Sequence, residues 1–91
     1  MRRAAKVDAN HAEIVKALRS IGCSVLDLSR VGQGCPDLLV AVRGQMILLE
    51  CKLPRERLNA RQQRFFGSWS GRCTIVRSAA EAVAVCERLG L

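Results

Sequence analysis

The chain has 91 residues, and a chain of this length folds as one domain around one modest hydrophobic core. Hydrophobic residues make up 49% of it and charged residues 25%, a composition that excludes intrinsic disorder, collagen-like sequence and low-complexity sequence. Lysine and arginine number 15 against 8 aspartate and glutamate residues, so the formal net charge of +7 favours polyanionic partners such as nucleic acid or acidic membrane surfaces.

The first half of the chain predicts one helix followed by three strands. The helix is expected to begin near Asp8 or Asn10, either of which can cap a first turn, and to end at Gly22. A short strand with imperfect alternation follows within residues 23–29. Residues 37–42 and 46–51 are apolar runs on either side of a tight turn at residues 43–45, and this pattern predicts a β-hairpin.

The second half predicts a helix, a strand and a final helix. The first of these helices is expected over residues 59–68, with the three aromatic side chains of the chain as its apolar anchors. Three of the four residues 73–76 are β-branched, which predicts a strand. Ser78 and Glu81 are expected to form a capping box that starts a final helix over residues 79–89.

The predicted order is therefore helix, three strands, helix, strand and helix. Because the last strand returns across a helix, it is expected to lie parallel to a neighbouring strand. The predicted fold class is α/β, a mixed β-sheet flanked by helices, with an αβββαβ core and a C-terminal helix.

The cysteines and the apolar runs bear on the compartment. Successive cysteines are separated by 12, 16, 22 and 13 residues, so no Cys-x-x-Cys pair of the zinc-ligand type exists. An odd number of cysteines without a secretory signal predicts reduced thiols in the cytoplasm, most of them small core residues. No apolar run approaches the roughly 18 residues of a membrane span. The expectation is a cytoplasmic protein without a membrane partner.

Two carboxylates and a lysine are expected at one end of the predicted hairpin. Folding the hairpin about Gly44 places Asp37 level with about position 51, so Asp37 and Glu50 lie at the same end of the strand pair. Lys52 lies two residues beyond Glu50 and projects from the same face of its strand. Holding these charges beside apolar strands is costly unless a cation and a phosphate bind there. Mg²⁺ suits such a site because one or two carboxylates and a substrate phosphate hold it.

The same residues carry a resemblance to a nuclease family. Gly34-Cys-Pro-Asp-Leu-Leu-Val40 followed by Leu48-Leu-Glu-Cys-Lys52 resembles the PD-(D/E)XK nuclease signature. The closer likeness is to its small VRR-NUC branch, whose stand-alone members occur in bacteriophages and bacteria. Residues 10–18 resemble the opening helix of that family, with its acidic residue at Glu13. The resemblance covers most of the chain and implies a single nuclease domain over residues 1–91.

A further segment also resembles the family, and the chain departs from the family pattern at two places. Residues 57–62 are similar to a stretch that commonly reads Leu-Thr-Pro-x-Gln, and Gln62 falls on the glutamine. Asn59 and Ala60 stand where relatives have threonine and proline. Cys51 stands where a small branched residue is usual. Neither departure affects an acidic residue or the lysine of the motif.

The resemblance implies a metal site. Asp37 and Glu50 would bind one or two Mg²⁺ or Mn²⁺ ions together with the backbone carbonyl of Cys51. Glu13 would complete the acidic cluster from the helix. A metal ion at such a site lowers the pKa of its bound water and stabilises charge on the phosphate.

The remaining implied roles belong to two polar side chains. Lys52 would orient the attacking water or help to deprotonate it. Gln62 would position the lysine, the water or a phosphate, and Gln63 is its competitor if the alignment is displaced by one residue. The implied product carries a 5′-phosphate.

Each feature also has a structural interpretation. A Pro-Asp dipeptide or a Glu-x-Lys triplet alone is usually structural, and it is their combination in a strand-turn-strand context that favours a site. A charged helix residue such as Glu13 is usually solvated. His11, near the predicted helix start, is expected to be exposed. Cys35 has no evident partner base and is expected to be a packing residue.

Five arginines before and after the motif are expected to contact DNA phosphates, although solvation alone also explains exposed arginines. The aromatic group Phe65, Phe66 and Trp69 could stack on bases, but its helical spacing is more typical of a core or a dimer surface. The five expected DNA-binding residues are Arg30, Arg55, Arg57, Arg61 and Arg64.

The function implied by the resemblance is metal-dependent, structure-specific cleavage of DNA. A homodimer would place two sites on a Holliday junction or a related branch, in a bacterial or phage-infected host cell. The alternatives are a nicking or restriction-like nuclease on ordinary duplex, a catalytically silent nucleic-acid-binding module, and a subunit that cuts only with a helicase or recombination partner. The intact Asp37, Glu50 and Lys52 argue against the silent module.

Overall fold

The helices and strands follow one another in the predicted order. A computed structural model describes residues 3–90, with side chains from residue 10 onward, and within this range it has three helices and a four-stranded mixed sheet. The predicted α/β class is therefore confirmed. The elements are α1 (Arg3–Ser20), β1 (Ser24–Asp27), β2 (Leu38–Val42), β3 (Gln45–Cys51), α2 (Ala60–Ser68), β4 (Cys73–Val76) and α3 (Ala79–Arg88).

The strands lie in the order β1-β2-β3-β4. The first three are antiparallel neighbours, and β4 runs parallel to β3. A parallel neighbour requires a crossover, because the chain must return to the starting end of the sheet. Helix α2 lies within that crossover.

The β2–β3 turn is one residue shorter than predicted. Arg43 and Gly44 both have positive φ values, 51° and 79°, as in a two-residue turn of type I′. Gln45 already belongs to β3 and pairs with Val42. The prediction that Asp37 lies level with position 51 is consequently wrong by one residue. Leu38 pairs with Leu49, so Asp37 lies across from Glu50.

The hydrophobic core lies between one face of the sheet and helices α1 and α3. Alternate residues of β2 are buried, as expected for a strand with one face in the core. They pack with side chains of β3 and β4 and with buried residues of both helices. The core residues include Ile14, Leu18, Leu38, Val40, Val42, Leu49, Val76, Ala82 and Cys86.

Helix α1 begins before its predicted start. Both proposed caps, Asp8 and Asn10, lie inside the helix. The Asn10 amide instead donates from Nδ2 to the carbonyl oxygens of Lys52 (3.0 Å) and Arg77 (3.3 Å). It therefore ties α1 to the ends of β3 and β4 instead of capping the helix.

Only half of the capping box predicted for α3 forms. The Ser78 hydroxyl accepts a hydrogen bond from the Glu81 amide (3.1 Å), as predicted. The Glu81 carboxylate, however, accepts from the Arg77 amide (2.7 Å). The Glu81 carboxylate thus bonds to the amide of the residue before the N-cap and not to that of Ser78 itself.

Helix α2 lies on the other face of the sheet. It bonds to Glu50, whose side chain projects opposite to that of Leu49. No residue of α2 is buried, so its aromatic side chains do not anchor a core. Phe65 stacks on Trp69 with ring centroids 5.1 Å apart, and Trp69 is 47% exposed.

The cysteine prediction agrees with the structure. All five cysteines are free thiols, and Cys23, Cys51 and Cys86 are buried. Among the helices of the described residues, none is both long enough and apolar enough to cross a bilayer.

Candidate active site

Asp37 and Glu50 meet at the end of the β2–β3 pair that lies away from the turn. Pro36 is buried directly before Asp37, and the register places Asp37 across from Glu50. Asp37 Oδ2 accepts a hydrogen bond from the Cys51 amide at 3.0 Å. The carboxylate of Asp37 is therefore held against the end of β3 by the backbone of its neighbour strand.

The Glu50 carboxylate is 3% exposed and has partners on one oxygen only. Oε2 accepts a hydrogen bond from Gln62 Nε2 at 3.1 Å and lies 3.7 Å from Lys52 Nζ. Oε1 is buried and has no hydrogen-bond partner among the described residues. Buried polar atoms are normally hydrogen-bonded, so an oxygen left in this state is suited to receive a cation.

Both carboxyl groups have raised pKa values. Burial raises the pKa of Glu50 from 4.5 to about 7, and the nearby Asp37 charge adds to the shift while Lys52 opposes it. Burial also raises the pKa of Asp37, against the effect of the hydrogen bond from Cys51. Two carboxylates that resist ionisation side by side are the arrangement that a divalent cation stabilises.

Gln62 reaches this site because Asn59 is the N-cap of α2. Asn59 Oδ1 accepts from the Gln62 amide (2.9 Å) and Gln62 Oε1 accepts from the Asn59 amide (2.9 Å), which is a reciprocal capping box. The other end of the Gln62 side chain, Nε2, is left to bond Glu50. Gln63 instead donates from Nε2 to the Leu58 carbonyl. The structure thus brings Gln62, and not Gln63, to the carboxylates.

The loop before Asp37 packs against the first turn of α2. Gly34 has a φ of 78°, and a Cβ there would clash with the backbone carbonyl of Arg61. Only glycine allows this close approach. The loop therefore helps to set the position of Gln62, the residue after Arg61.

Glu13 does not join the cluster, which corrects the expectation drawn from the resemblance. Glu13 is exposed, whereas His11, Ile14 and Leu18 form the buried side of α1. Two residues along a helix correspond to about 200°, so Glu13 points away from the side that His11 presents to the sheet. The register of the helix thus turns Glu13 toward solvent.

His11 takes the inward position, so the prediction that it is exposed is wrong. Its side chain is 7% exposed, and Nε2 lies 3.4 Å from Asp27 Oδ2. One atom each from the His11 ring, the Asp37 carboxylate and the Cys51 thiol lie within 4.8 Å of one another. The spacing His11, Ile14, Leu18 is the sequence signal that could have found it.

The thiols beside the site are not ionised nucleophiles. Burial raises the pKa of Cys51, and the Asp37 and Glu50 charges raise it further. The pKa of Cys35 is raised by the same causes. The packing role of the half-buried Cys35 and the metal-ligand role of the Cys51 carbonyl remain predictions.

Two of the five expected DNA-binding arginines line a groove on α2. Arg61 and Arg64 border an open groove of about 430 Å³ together with Gln33, Phe65 and Ser68. The other three, Arg30, Arg55 and Arg57, are exposed outside this groove.

Sequence reasoning missed the part played by Arg77. Its Nη1 donates to the carbonyl oxygens of Leu53 (2.7 Å), Glu56 (2.7 Å) and Pro54 (3.2 Å). Arg77 therefore shapes the loop that follows Lys52. No local sequence pattern predicts these hydrogen bonds.

Comparison with known proteins gave no match, whether with protein-family models, with curated proteins or with solved structures.

Proposed function

We propose that the chain is a metal-dependent endodeoxyribonuclease of the PD-(D/E)XK type, similar to the small VRR-NUC branch. The observation that carries the proposal is the Glu50 carboxylate, buried beside Asp37 with Oε1 unpartnered among the described residues and Oε2 in contact with Lys52 and Gln62. A buried carboxylate pair with this incomplete set of partners fits an Mg²⁺ or Mn²⁺ ion, because such ions take oxygen ligands.

Asp37, Glu50 and the Cys51 carbonyl would hold the ion. When bound, the ion supplies a water of lowered pKa and offsets charge on the phosphate. Lys52, whose side chain is 11% exposed, would orient the attacking water through Nζ. The hydrogen bond from Gln62 Nε2 to Glu50 Oε2 would hold this carboxylate in place beside Lys52.

The reaction is hydrolysis of a phosphodiester. The water oxygen forms a bond to phosphorus, and the bond from phosphorus to the 3′ oxygen breaks. The attacking water gives up a proton to solvent, the leaving oxygen takes one up to become a 3′-hydroxyl, and the other product carries a 5′-phosphate. Asp37, Glu50 and Lys52 act at this step by position and charge.

DNA would approach across the arginine-lined groove on α2. Arg61 and Arg64 there suit phosphates, and Phe65 offers a ring for stacking. Exposed Arg30, Arg55 and Arg57 would add contacts that do not depend on sequence.

Branched DNA and a homodimer are the preferred substrate and assembly. The molecule measures 32 × 28 × 22 Å, so one copy spans about one turn of duplex, roughly 34 Å. Two copies related by a two-fold axis would cover two arms of a Holliday junction. We place this activity in the cytoplasm of a bacterial or phage-infected cell, and the further partner that we propose is a helicase or a recombination protein.

A cleavage assay tests the proposal. The protein is incubated with a labelled four-way junction or a matched linear duplex, in Mg²⁺, Mn²⁺ or EDTA. We expect cutting of the junction in either metal and none in EDTA. Asp37→Asn keeps a hydrogen-bond acceptor for the Cys51 amide. It should nevertheless reduce the cleavage rate by more than about 100-fold, the largest loss typical of a residue that only supports a metal ligand.

Glu87→Gln is the matched control, because it also removes one negative charge but from an exposed position of α3. It should cut like the wild type. Equal cutting of junction and duplex would redirect the proposal to a nuclease on ordinary duplex. DNA binding without cutting in either metal would contradict the enzyme and favour a silent binding module.

A further inference from the structure

His11 is a buried polar residue that the proposed mechanism does not yet use. Its side chain is 92% removed from solvent, and Nδ1 is buried without a hydrogen-bond partner among the described residues. Leaving a polar atom in this state costs free energy that a ligand on that atom would recover. The residue therefore points to a missing partner.

The surroundings of His11 identify the kind of partner. A ring nitrogen of His11 and an oxygen of Asp37 lie within 4.8 Å of each other and of the Cys51 sulfur, close enough to share one ion. Asp27 Oδ2 lies 3.4 Å from Nε2, which leaves Nδ1 as the nitrogen without a partner among the described residues. A histidine that ligates a metal commonly has its second nitrogen oriented by a carboxylate in this manner.

Asp27 is itself held in place. Its Oδ1 accepts hydrogen bonds from the amide (2.8 Å) and the hydroxyl (2.6 Å) of Ser29. His11 and Asp27 also line an open groove of about 460 Å³ between α1 and β1.

We infer that His11 is a metal ligand beside Asp37, in the place where the resemblance implied Glu13, and that it makes the site prefer Mn²⁺ over Mg²⁺. This inference rests on the proposed metal site at Asp37 and Glu50. Mg²⁺ binds almost entirely to oxygen, whereas imidazole nitrogen favours first-row transition metals. A site in which an imidazole lies beside the Asp37 carboxylate therefore discriminates between the two ions.

The test is calorimetric titration of the protein alone with MnCl₂ and, separately, with MgCl₂. For the wild type we expect a dissociation constant for Mn²⁺ at least about 10-fold below that for Mg²⁺. His11→Leu keeps the buried volume without a ligand atom, and it should weaken Mn²⁺ binding about 10- to 100-fold and Mg²⁺ binding less. His11→Gln offers an oxygen in place of nitrogen, and it should reduce the Mn²⁺ preference while retaining binding.

The ratio of the two affinities separates a ligand from a structural residue, because a general disturbance of the site lowers both affinities alike. If circular dichroism shows that His11→Leu is unfolded, His11→Gln decides by the same ratio. An unchanged Mn²⁺-to-Mg²⁺ ratio in the folded variants would overturn the role of His11. If Asp37→Asn still abolished binding, the proposed metal site would stand without it. Absence of binding of either ion to the wild type would overturn both.

Discussion

At the scale of single residues, Glu50 links the site to the stability of the protein. Its folded-state pKa of about 7 lies above the ordinary 4.5, chiefly because burial separates the charge from water. A raised pKa means that the folded state binds the proton more tightly than the unfolded state. The contribution of Glu50 to stability is therefore complete below about pH 4.5 and is lost as the pH rises through about 7. The difference is on the order of 3 kcal/mol.

Glu50→Gln should accordingly stabilise the metal-free protein at pH 8. We expect a gain of about 1 to 3 kcal/mol in the free energy of unfolding at pH 8 and little change at pH 4.5. The gain should persist although Lys52 loses its partner, because burial is the largest cause of the pKa shift. Urea denaturation in EDTA at both pH values measures it.

Glu87→Gln again serves as the control, since its exposed side chain should leave stability unchanged at both pH values. If the Glu50→Gln protein were less stable than the wild type at pH 8, burial of the ionised Glu50 carboxylate would not destabilise the folded state.

At the scale of elements, the position of α2 decides whether Gln62 reaches Glu50. No residue of α2 is buried, so hydrophobic packing holds this helix weakly. Its placement depends on the capping box at Asn59, the bond from Gln62 to Glu50 and the close approach of Gly34 to Arg61. A small change at Gly34 should therefore move a whole element.

Gly34→Ala should destabilise the protein by at least about 1 kcal/mol more than Gly32→Ala. Both glycines have φ near 78°, so both substitutions introduce the same backbone strain, but only a Cβ at Gly34 clashes with Arg61. Trp69, the single tryptophan, is the C-cap of α2 and reports movement of the helix by fluorescence. Equal destabilisation and equal spectra for the two variants would refute the role of this contact.

At the scale of the whole molecule, basic residues lie both near the site and far from it. Asp37 and Glu50 lie at one end of the β2–β3 pair, and Arg43 lies at the turn at the other end, about 20 Å away along β3. Arg61 and Arg64 lie on α2, the helix that contacts Glu50. The net charge of +7 attracts DNA in general, whereas these two arginines would direct it to the site.

Replacing Arg61 and Arg64 together by alanine should weaken binding to a four-way junction and flatten its salt dependence. Loss of two phosphate contacts lowers the slope of log affinity against log salt by about 2. The matched control replaces Arg43 and Arg88, two exposed arginines outside the groove, and removes the same charge. Titrations at several salt concentrations, in EDTA to prevent cutting, measure both. Equal slopes for the two double variants would indicate attraction by net charge alone.

Local patterns in the sequence were sufficient to predict the elements and to place Asp37 and Glu50 at the same end of the hairpin. Strand periodicity is 2, and a hairpin with a short turn leaves little freedom in how its ends meet, so both carboxylates had to lie at one edge. The bounds of β4 and the Asn59 start of the α2 cap also follow from short-range propensity. The register was wrong by one residue because the sequence around Gly44 is compatible with a turn of two residues and with a turn of three.

Only the tertiary structure decided which side chains complete the cluster. The spacing of His11, Ile14 and Leu18 indicates the inward side of α1, but whether that side brings His11 close to Asp37 depends on how the helix packs against the sheet. The bond from Gln62 to Glu50 joins residues on a helix and a strand whose distance no local pattern determines. The sequence by itself thus determined the elements and the carboxylate pair, because these depend on contacts between near neighbours. The third member of the cluster depends on packing between elements far apart in the chain.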